Sequence, residues 1–271
     1  MWFIQTYDCN TSSITIHNTP LVYAHLLLKS EKFECVSEIL SIVGMLSAEN
    51  IFFRPGRNDG NSEGLVATGA AAHKRFASYE GDLPSLLNVY NAWKKEAIYT
   101  PSGHTSKKKK LSSGKMLHGD WCKHNFISGR ALVRAHDVRN QLSELAIRSV
   151  EKNGLGMDVN LSCIENPALD MTALYKCICA GLFLQVATRI PSSNQHQGVK
   201  LGGKSGLIPS RGQYKTRNGG NLVSIHPTSF MFGRNPPAKY VVYTELLQTS
   251  KLYIRGVTQI RDEWLDENSP V

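Results

Sequence analysis

Three groups of residues in this 271-residue sequence have types and spacings that chemistry can use. The first is Gly198-Val199-Lys200-Leu201-Gly202-Gly203-Lys204-Ser205, which fits the phosphate-loop pattern G-x4-G-K-[ST]. That pattern holds phosphate only when a buried strand precedes it and a helix follows, so that backbone N–H groups converge on the anion. Here the polar stretch Pro191 to Gln197 precedes it, and Pro209 stands where the helix should be established. No apolar strand ending in Asp is present to hold magnesium, so nucleotide binding at Lys204 is not expected. The second group, His118, Cys122 and His124, offers three metal ligands but no second Cys/His pair at a zinc spacing. Cys177 and Cys179 form a C-x-C on a helix, which sends the two thiols to different sides, and packing explains them better than metal binding. With no G-x-S-x-G, H-E-x-x-H or paired carboxylates, no residue is assigned a catalytic or metal-binding role, and this chain alone is not expected to be catalytic.

The third group is basic and aromatic. Lys215, Arg217, Lys251 and Arg255 can neutralise phosphates, and Tyr214 or Tyr253 can offer a face to a base. Base–aromatic stacking contributes roughly 1–3 kcal/mol per base without sequence preference, although strand tyrosines commonly pack in cores. Thr228 and Ser229, just after His226-Pro227, either bond phosphate or cap a turn. Arg130, Arg134 and Arg139 are the equivalent candidates on a long helix, with a solvated helix face as the alternative. The run Lys107 to Lys110 is a further cationic segment, in a Ser/Gly context that suits solvation as well as phosphate contact.

Composition points the same way. The chain is 41% apolar and 20% charged, a folding composition, and its net charge is +9. The excess is segregated: residues 173–261 carry 12 basic side chains and one acidic one, Glu245, whereas residues 1–172 are nearly balanced. Such asymmetry favours two units, the second facing a polyanion. The apolar run Cys177 to Leu184 is far shorter than the roughly 20 residues that span a bilayer. Met1 to Gln5 lacks the basic start of a secretory signal, and six sparse cysteines read as reduced thiols.

The elements that must position these residues follow from hydrophobic period. Leu21 to Leu28 reads as a short helix, and Val36, Ile39, Leu40, Val43 and Leu46 mark a second helix within Glu31 to Asn50. Gly56, Gly60, Gly64 and Gly69 suggest a loop over 56–70. Leu83 to Ala97 is helical, and 100–115 is a second loop. The longest helix runs from Ser128 to Lys152, burying Leu132, Ala135, Val138, Leu142, Leu145 and Ala146 while Arg130, Arg134 and Arg139 project elsewhere. Residues 153–172 read as a linker, and Ala173 to Ile190 as a helix. Strand patterns follow. A hairpin is expected at Tyr214 to Ile225 around Asn218-Gly219-Gly220, then strands at Tyr240 to Leu247 and Lys251 to Ile260, with Gly256 a candidate bulge. The expected fold class is α+β, a helical bundle followed by a small antiparallel β-barrel.

Three sets of segments carry a resemblance. Pro20-Leu21, Phe33 to Ser47 and Ile51-Phe52-Phe53-Arg54-Pro55 resemble the helical domain that follows the second motor domain of DEAH-box RNA helicases. Trp121 to Phe126, with Arg130 and Val138 to Leu142, resembles the closing segment of that domain. Ile225 to Ser229, Tyr240 to Glu245 and Thr249 to Arg255 resemble the family's C-terminal OB-fold. The resemblance covers about residues 20–267. It implies a ratchet-like helical domain over 20–152 with loops at 56–70 and 100–115, a linker at 153–172, and an OB-fold over 173–267 with an insertion at 192–212. Residues 1–19 stay unassigned. The sequence shows no Asp-Glu-Ala-His string, no arginine-rich motif that senses the γ-phosphate, and no winged-helix pattern ahead of the ratchet.

The resemblance therefore implies an RNA-binding module with no ATPase of its own, ATP and magnesium belonging to the motor domains. The partners it implies are single-stranded RNA, helicase activator proteins and the motor domains of a longer product, with no membrane. It implies a nuclear or nucleolar, otherwise cytoplasmic, protein that is not secreted. The alternative is a protein-interaction module or truncated helicase isoform with little RNA binding.

Overall fold

A computed structural model describes residues 21–48, 51–53, 62–98, 116–153, 171–191, 212–249 and 251–266. The expectations for 1–19, 100–115, most of 153–172 and the phosphate-loop pattern lie outside these residues.

Helix α1 spans Leu21–Lys32 and α2 spans Val36–Ser47. Helix α2 is strongly apolar from Ile39 to Met45, Ser41 excepted, so it lies among other helices, and Ile39 to Met45 are all buried. Helix α3 (Ser62–Lys74) and α4 (Asp82–Glu96) lead into β1 (Ala97–Ile98). That strand pairs in parallel with β2 (Met116–Leu117), ahead of α5 (His118–His124) and the 25-residue α6 (Gly129–Asn153). Leu132, Ala135 and Leu142 bury one stripe of α6, as their spacing requires. The α2–α6 contact is close: a Cβ on Gly44 would stand 2.5 Å from the Ala135 carbonyl oxygen.

Two helix assignments need correction. Residues 62–70, expected as loop, belong to α3. Four alanines among residues 67–72 favour helix strongly enough to override Gly64 and Gly69. The helix expected to continue to Ile190 instead stops early, as α7 (Met171–Gly181), and Val186–Arg189 forms strand β3. Gly181 meets Leu26 of α1 so tightly that an added Cβ would lie 2.5 Å from its Cδ2. With α7 docked against α1, the chain turns at 182–185 and enters the sheet.

The remaining strands are β4 (Gln213–Thr216), β5 (Leu222–Ile225), β6 (Tyr240–Val242), β7 (Glu245–Gln248), β8 (Leu252–Arg255) and β9 (Thr258–Ile260), followed by α8 (Glu263–Asp266). Their order is β7-β8-β5-β4-β3-β6-β9. The β4–β5 hairpin turns through Gly219 and Gly220, both at positive φ, as the sequence requires. The expectation of an all-antiparallel barrel is corrected in two respects: β5 and β8 run parallel, and among the described residues the sheet's end strands β7 and β9 do not pair to close it. Parallel pairing arises because β5 and β8 are joined by a long crossover through β6 and β7, not by a hairpin.

Each of the two long strands read from sequence is broken at one shared corner. Tyr240 to Leu247 bends at Tyr243–Thr244, and Lys251 to Ile260 bends at Gly256, where φ is +60°. A Cβ on Gly256 would collide with the Thr244 hydroxyl. The N-terminal half of one run and the C-terminal half of the other pair as β6–β9, and the other two halves pair as β7–β8. Gly256 is therefore a corner between strands, not a bulge within one.

Helices and sheet share a core. Leu26, Ile39, Leu40 and Leu83 cluster with Ile178, Val186, Val242, Ile260 and Trp264. A second cluster around Tyr90, Trp93, Trp121 and Leu132 is mostly helical, joined by Ala97 of β1 and by Ile51 and Ile127, and a third, including Tyr214, Val223, Val241 and Ile254, covers one face of the sheet.

Candidate nucleic-acid interface

Strand register decides which of the candidate residues meet. Lys215 pairs with Leu222, and Ser224 with Tyr253. Directly paired residues share a face, as do residues two apart on a strand. Lys215, Leu222, Ser224, Lys251, Tyr253 and Arg255 therefore stand on the face opposite the core residues Tyr214, Val223 and Ile254. Lys215 and Lys251 are exposed, and Tyr253 is half-buried with His226 edge-on to its ring at 5.5 Å. Arg255 on the same face meets Glu245, with Nη1 3.4 Å from Oε2 and both side chains about half exposed. Arg217 is exposed just beyond β4.

A cleft of about 720 Å³ takes residues from this face and, through Tyr214 and its register partner Arg189, from the core side as well. Ser224, Lys251 and Tyr253 form one wall, the segment Pro227 to Pro237 forms the other, and Arg189 and Tyr214 reach it from β3 and β4. Among the described residues its lining holds three cations, Arg189, Arg234 and Lys251, and no carboxylate. Arg189 and Arg234 lie close enough to the Tyr214 phenol to oppose the upward push that burial gives its pKa. Phe232 at the cleft is 55% exposed. The Arg234 guanidinium lies 3.5 Å over the Tyr79 ring and donates from Nη1 to the Tyr79 carbonyl at 2.8 Å. Sequence reasoning missed Arg189 because β3 was read as helix. It missed Arg234 and Phe232 because they lie in an irregular segment with no period to read.

Several candidates instead hold the fold. Ser229 donates from Oγ to Asp82 Oδ1 at 3.0 Å, the same oxygen accepts the Phe230 N–H at 2.7 Å, and Oδ2 accepts the Val257 N–H at 2.7 Å. Asp82 thus fastens the start of α4 to two parts of the sheet domain. Burial raises its carboxyl pKa to about 6 against these stabilising bonds. Thr228 is exposed and its Oγ1 lies 2.7 Å from His226 Nδ1, which caps the turn. Tyr214 is buried and donates its hydroxyl to the Ala238 carbonyl, so Tyr253 is the stacking candidate that remains.

On α6, Arg130 and Arg134 are exposed, whereas Arg139 corrects the expectation that all three project outward. It is 5% exposed, donating from Nε to Ser41 Oγ at 2.9 Å and from Nη2 to Ser37 Oγ at 3.1 Å, with its guanidinium over Tyr90. His118, Cys122 and His124 do not converge: the Trp93 indole donates to His118 Nδ1 at 2.7 Å, Cys122 packs beside the ring, and His124 is exposed on the surface. Burial pushes the Cys122 thiol up to about 11. Cys177 and Cys179 are both buried, and a hydrogen bond to Cys35 together with burial raises the Cys177 pKa.

Residues 174–270 match the family model of an oligonucleotide/oligosaccharide-binding (OB) fold, and residues 20–86 match that of a ratchet-like helicase associated domain (HA2). Over 250 residues, 92% of this chain, it is 30% identical to a Homo sapiens protein named "Probable ATP-dependent RNA helicase DHX35". It is 31% identical over 252 residues to the Arabidopsis thaliana "Pre-mRNA-splicing factor ATP-dependent RNA helicase DEAH10", and 31% over 248 residues to the Drosophila melanogaster "ATP-dependent RNA helicase DHX33", each again covering 92% of this chain. The chain belongs to the DEAH-box RNA helicases and carries their ratchet-like and OB domains. It spans between a quarter and a third of the length of these curated relatives, 27–29%. Within this helicase module the cleft belongs to the OB domain, and Asp82 joins ratchet to OB. Among the described residues, no helix is long and apolar enough to cross a membrane.

Proposed function

We propose that this chain is the RNA-binding module of a DEAH-box helicase, which guides single-stranded RNA and receives partner proteins while motor domains of a longer product bind ATP and magnesium. The division into a ratchet over 20–152 and an OB domain over 173–267 belongs to this reading, as does work in nuclear or cytoplasmic RNA processing. The observation that carries it is the outer sheet face, where Lys215, Lys251 and Arg255 flank Tyr253 on neighbouring paired strands. Cations on such a face track phosphates, and the aromatic ring accepts a base of any identity. Arg130 and Arg134 on the ratchet supply a second exposed cationic pair.

Fluorescence anisotropy of a labelled single-stranded RNA, titrated with the chain at several salt concentrations, tests this. Affinity should fall steeply with salt, and replacing Lys251 and Arg255 by alanine should reduce the log–log salt slope by roughly 0.7 for each phosphate left without its cation. A folded chain that shows no salt-dependent binding would favour the protein-interaction reading.

A further inference from the structure

We propose that the cleft beside the outer face is a single-nucleotide pocket, with the Arg189–Arg234 pair as its phosphate seat and Phe232 as a stacking wall. The inference rests on the RNA-binding reading above, but it assigns residues that the outer face does not include. Four observations support it.

The cleft's volume of about 720 Å³ lies within the roughly 300–1,000 Å³ range of small-ligand sites, so it accommodates one nucleotide rather than a duplex. Its charge is one-sided, with three cations and no acidic side chain among the described residues that line it. Both arginines keep a buried Nε with no hydrogen-bond partner among the described residues. Donors that no described residue uses leave the pair only partly compensated for its lost hydration, and an anion at the cleft is the complementary charge. Phe232 and Tyr253 present aromatic surface at the same opening, and Phe232 is more than half exposed, so its ring face is available to a base.

A strand lying along Lys251 and Tyr253 thus has a path off the sheet, with one nucleotide dropping between the β5–β8 wall and the Pro227 to Pro237 segment. That segment is not free to drift. Arg234 is stacked on Tyr79, and Ser229 and Phe230 are bonded to Asp82, so the wall is held by the ratchet. The pocket is therefore lined by the OB domain, and the ratchet holds one of its walls.

The test compares the chain with its Arg189→Ala, Phe232→Ala and Arg234→Gln variants, using 5′-fluorescein-labelled decauridylate RNA in anisotropy titrations at low and moderate salt. Lys123→Ala, at an exposed position on α5, is the charge control, and thermal melts establish that each variant is folded. Arg189→Ala should weaken binding about tenfold and lower the salt slope by about 0.7. Phe232→Ala should weaken it by about fivefold or more with the salt slope unchanged, because stacking releases no counterions. Lys123→Ala should bind like the wild type. If Arg189→Ala and Phe232→Ala bind like the wild type while Lys251→Ala/Arg255→Ala loses affinity, the pocket is refuted and the outer face stands. If the folded wild type binds no RNA, both readings fall together. Should Arg234→Gln melt early, the other two variants decide the matter alone.

Discussion

Asp82 offers the most demanding test of how the two domains are held. Its carboxylate accepts three hydrogen bonds from the OB domain, at 3.0, 2.7 and 2.7 Å, and the residue is 8% exposed. Asp82→Ala would leave two amides and a hydroxyl facing a void, and each orphaned buried donor costs about 1–3 kcal/mol. Against that, the substitution removes a carboxylate that burial holds at a pKa of about 6, up from 3.8. That difference is worth about 3 kcal/mol of penalty on the ionised form at neutral pH. The expected net loss at pH 7.5 is therefore about 3 kcal/mol, a large fraction of the roughly 5–15 kcal/mol of a typical domain.

The pH dependence has a definite sign. The folded pKa is raised, so between about 4 and 6 the folded state holds a proton that the unfolded state has lost. The Asp82 contribution is then greatest at the acid end and declines as pH rises through the folded pKa. The gap between wild type and Asp82→Ala should be wider at pH 4.5 than at pH 7.5. Urea denaturation followed by tryptophan fluorescence measures both gaps, and hydrogen exchange of the Phe230 and Val257 amides reports the clamp directly. A variant as stable as the wild type at both pH values, with those amides still protected, would refute the reasoning.

Arg139→Ala should cost about 2–3 kcal/mol in the same denaturation assay, because the hydroxyls of Ser37 and Ser41 and the Tyr90 face lose their partner together. Its RNA affinity should match the wild type, unlike that of Arg130→Ala/Arg134→Ala, which anisotropy should show to be weakened. Gly44→Ala should lower the melting temperature in calorimetry through an overpacking cost of about 1–3 kcal/mol, since the backbone of α6 stands where the methyl group must go.

The sequence by itself determined the kinds of element and much of their order. The apolar period of α2 and the stripe of α6 were readable because each helix buries a face against its neighbours, and burial writes its period into the residues. The β4–β5 hairpin was readable because Gly219 and Gly220 meet a local demand for positive φ. The segments of family resemblance were equally local, and they located the ratchet-like and OB domains that the family models match. Helix α3 was hidden by two glycines in an alanine-rich run. Strand β3 was hidden because a buried strand of four residues has no period distinct from the helix before it.

Tertiary structure alone decided which charged and polar side chains face solvent. Arg139 and Ser229 have the same formal chemistry as Arg134 and Thr228, yet one pair is spent on Ser41 and Asp82 and the other stays exposed. It also decided the corner at Gly256 and the parallel pairing of β5 with β8, through which Lys215, Tyr253 and Arg255 come to one face. The cleft arises the same way, from Arg189 on one strand and Arg234 in a loop 45 positions later. Hydrophobic period is a property of neighbours along the chain, so it survives in one dimension. The partner of a buried hydroxyl or guanidinium lies tens of residues away and is fixed only when the core has closed around it.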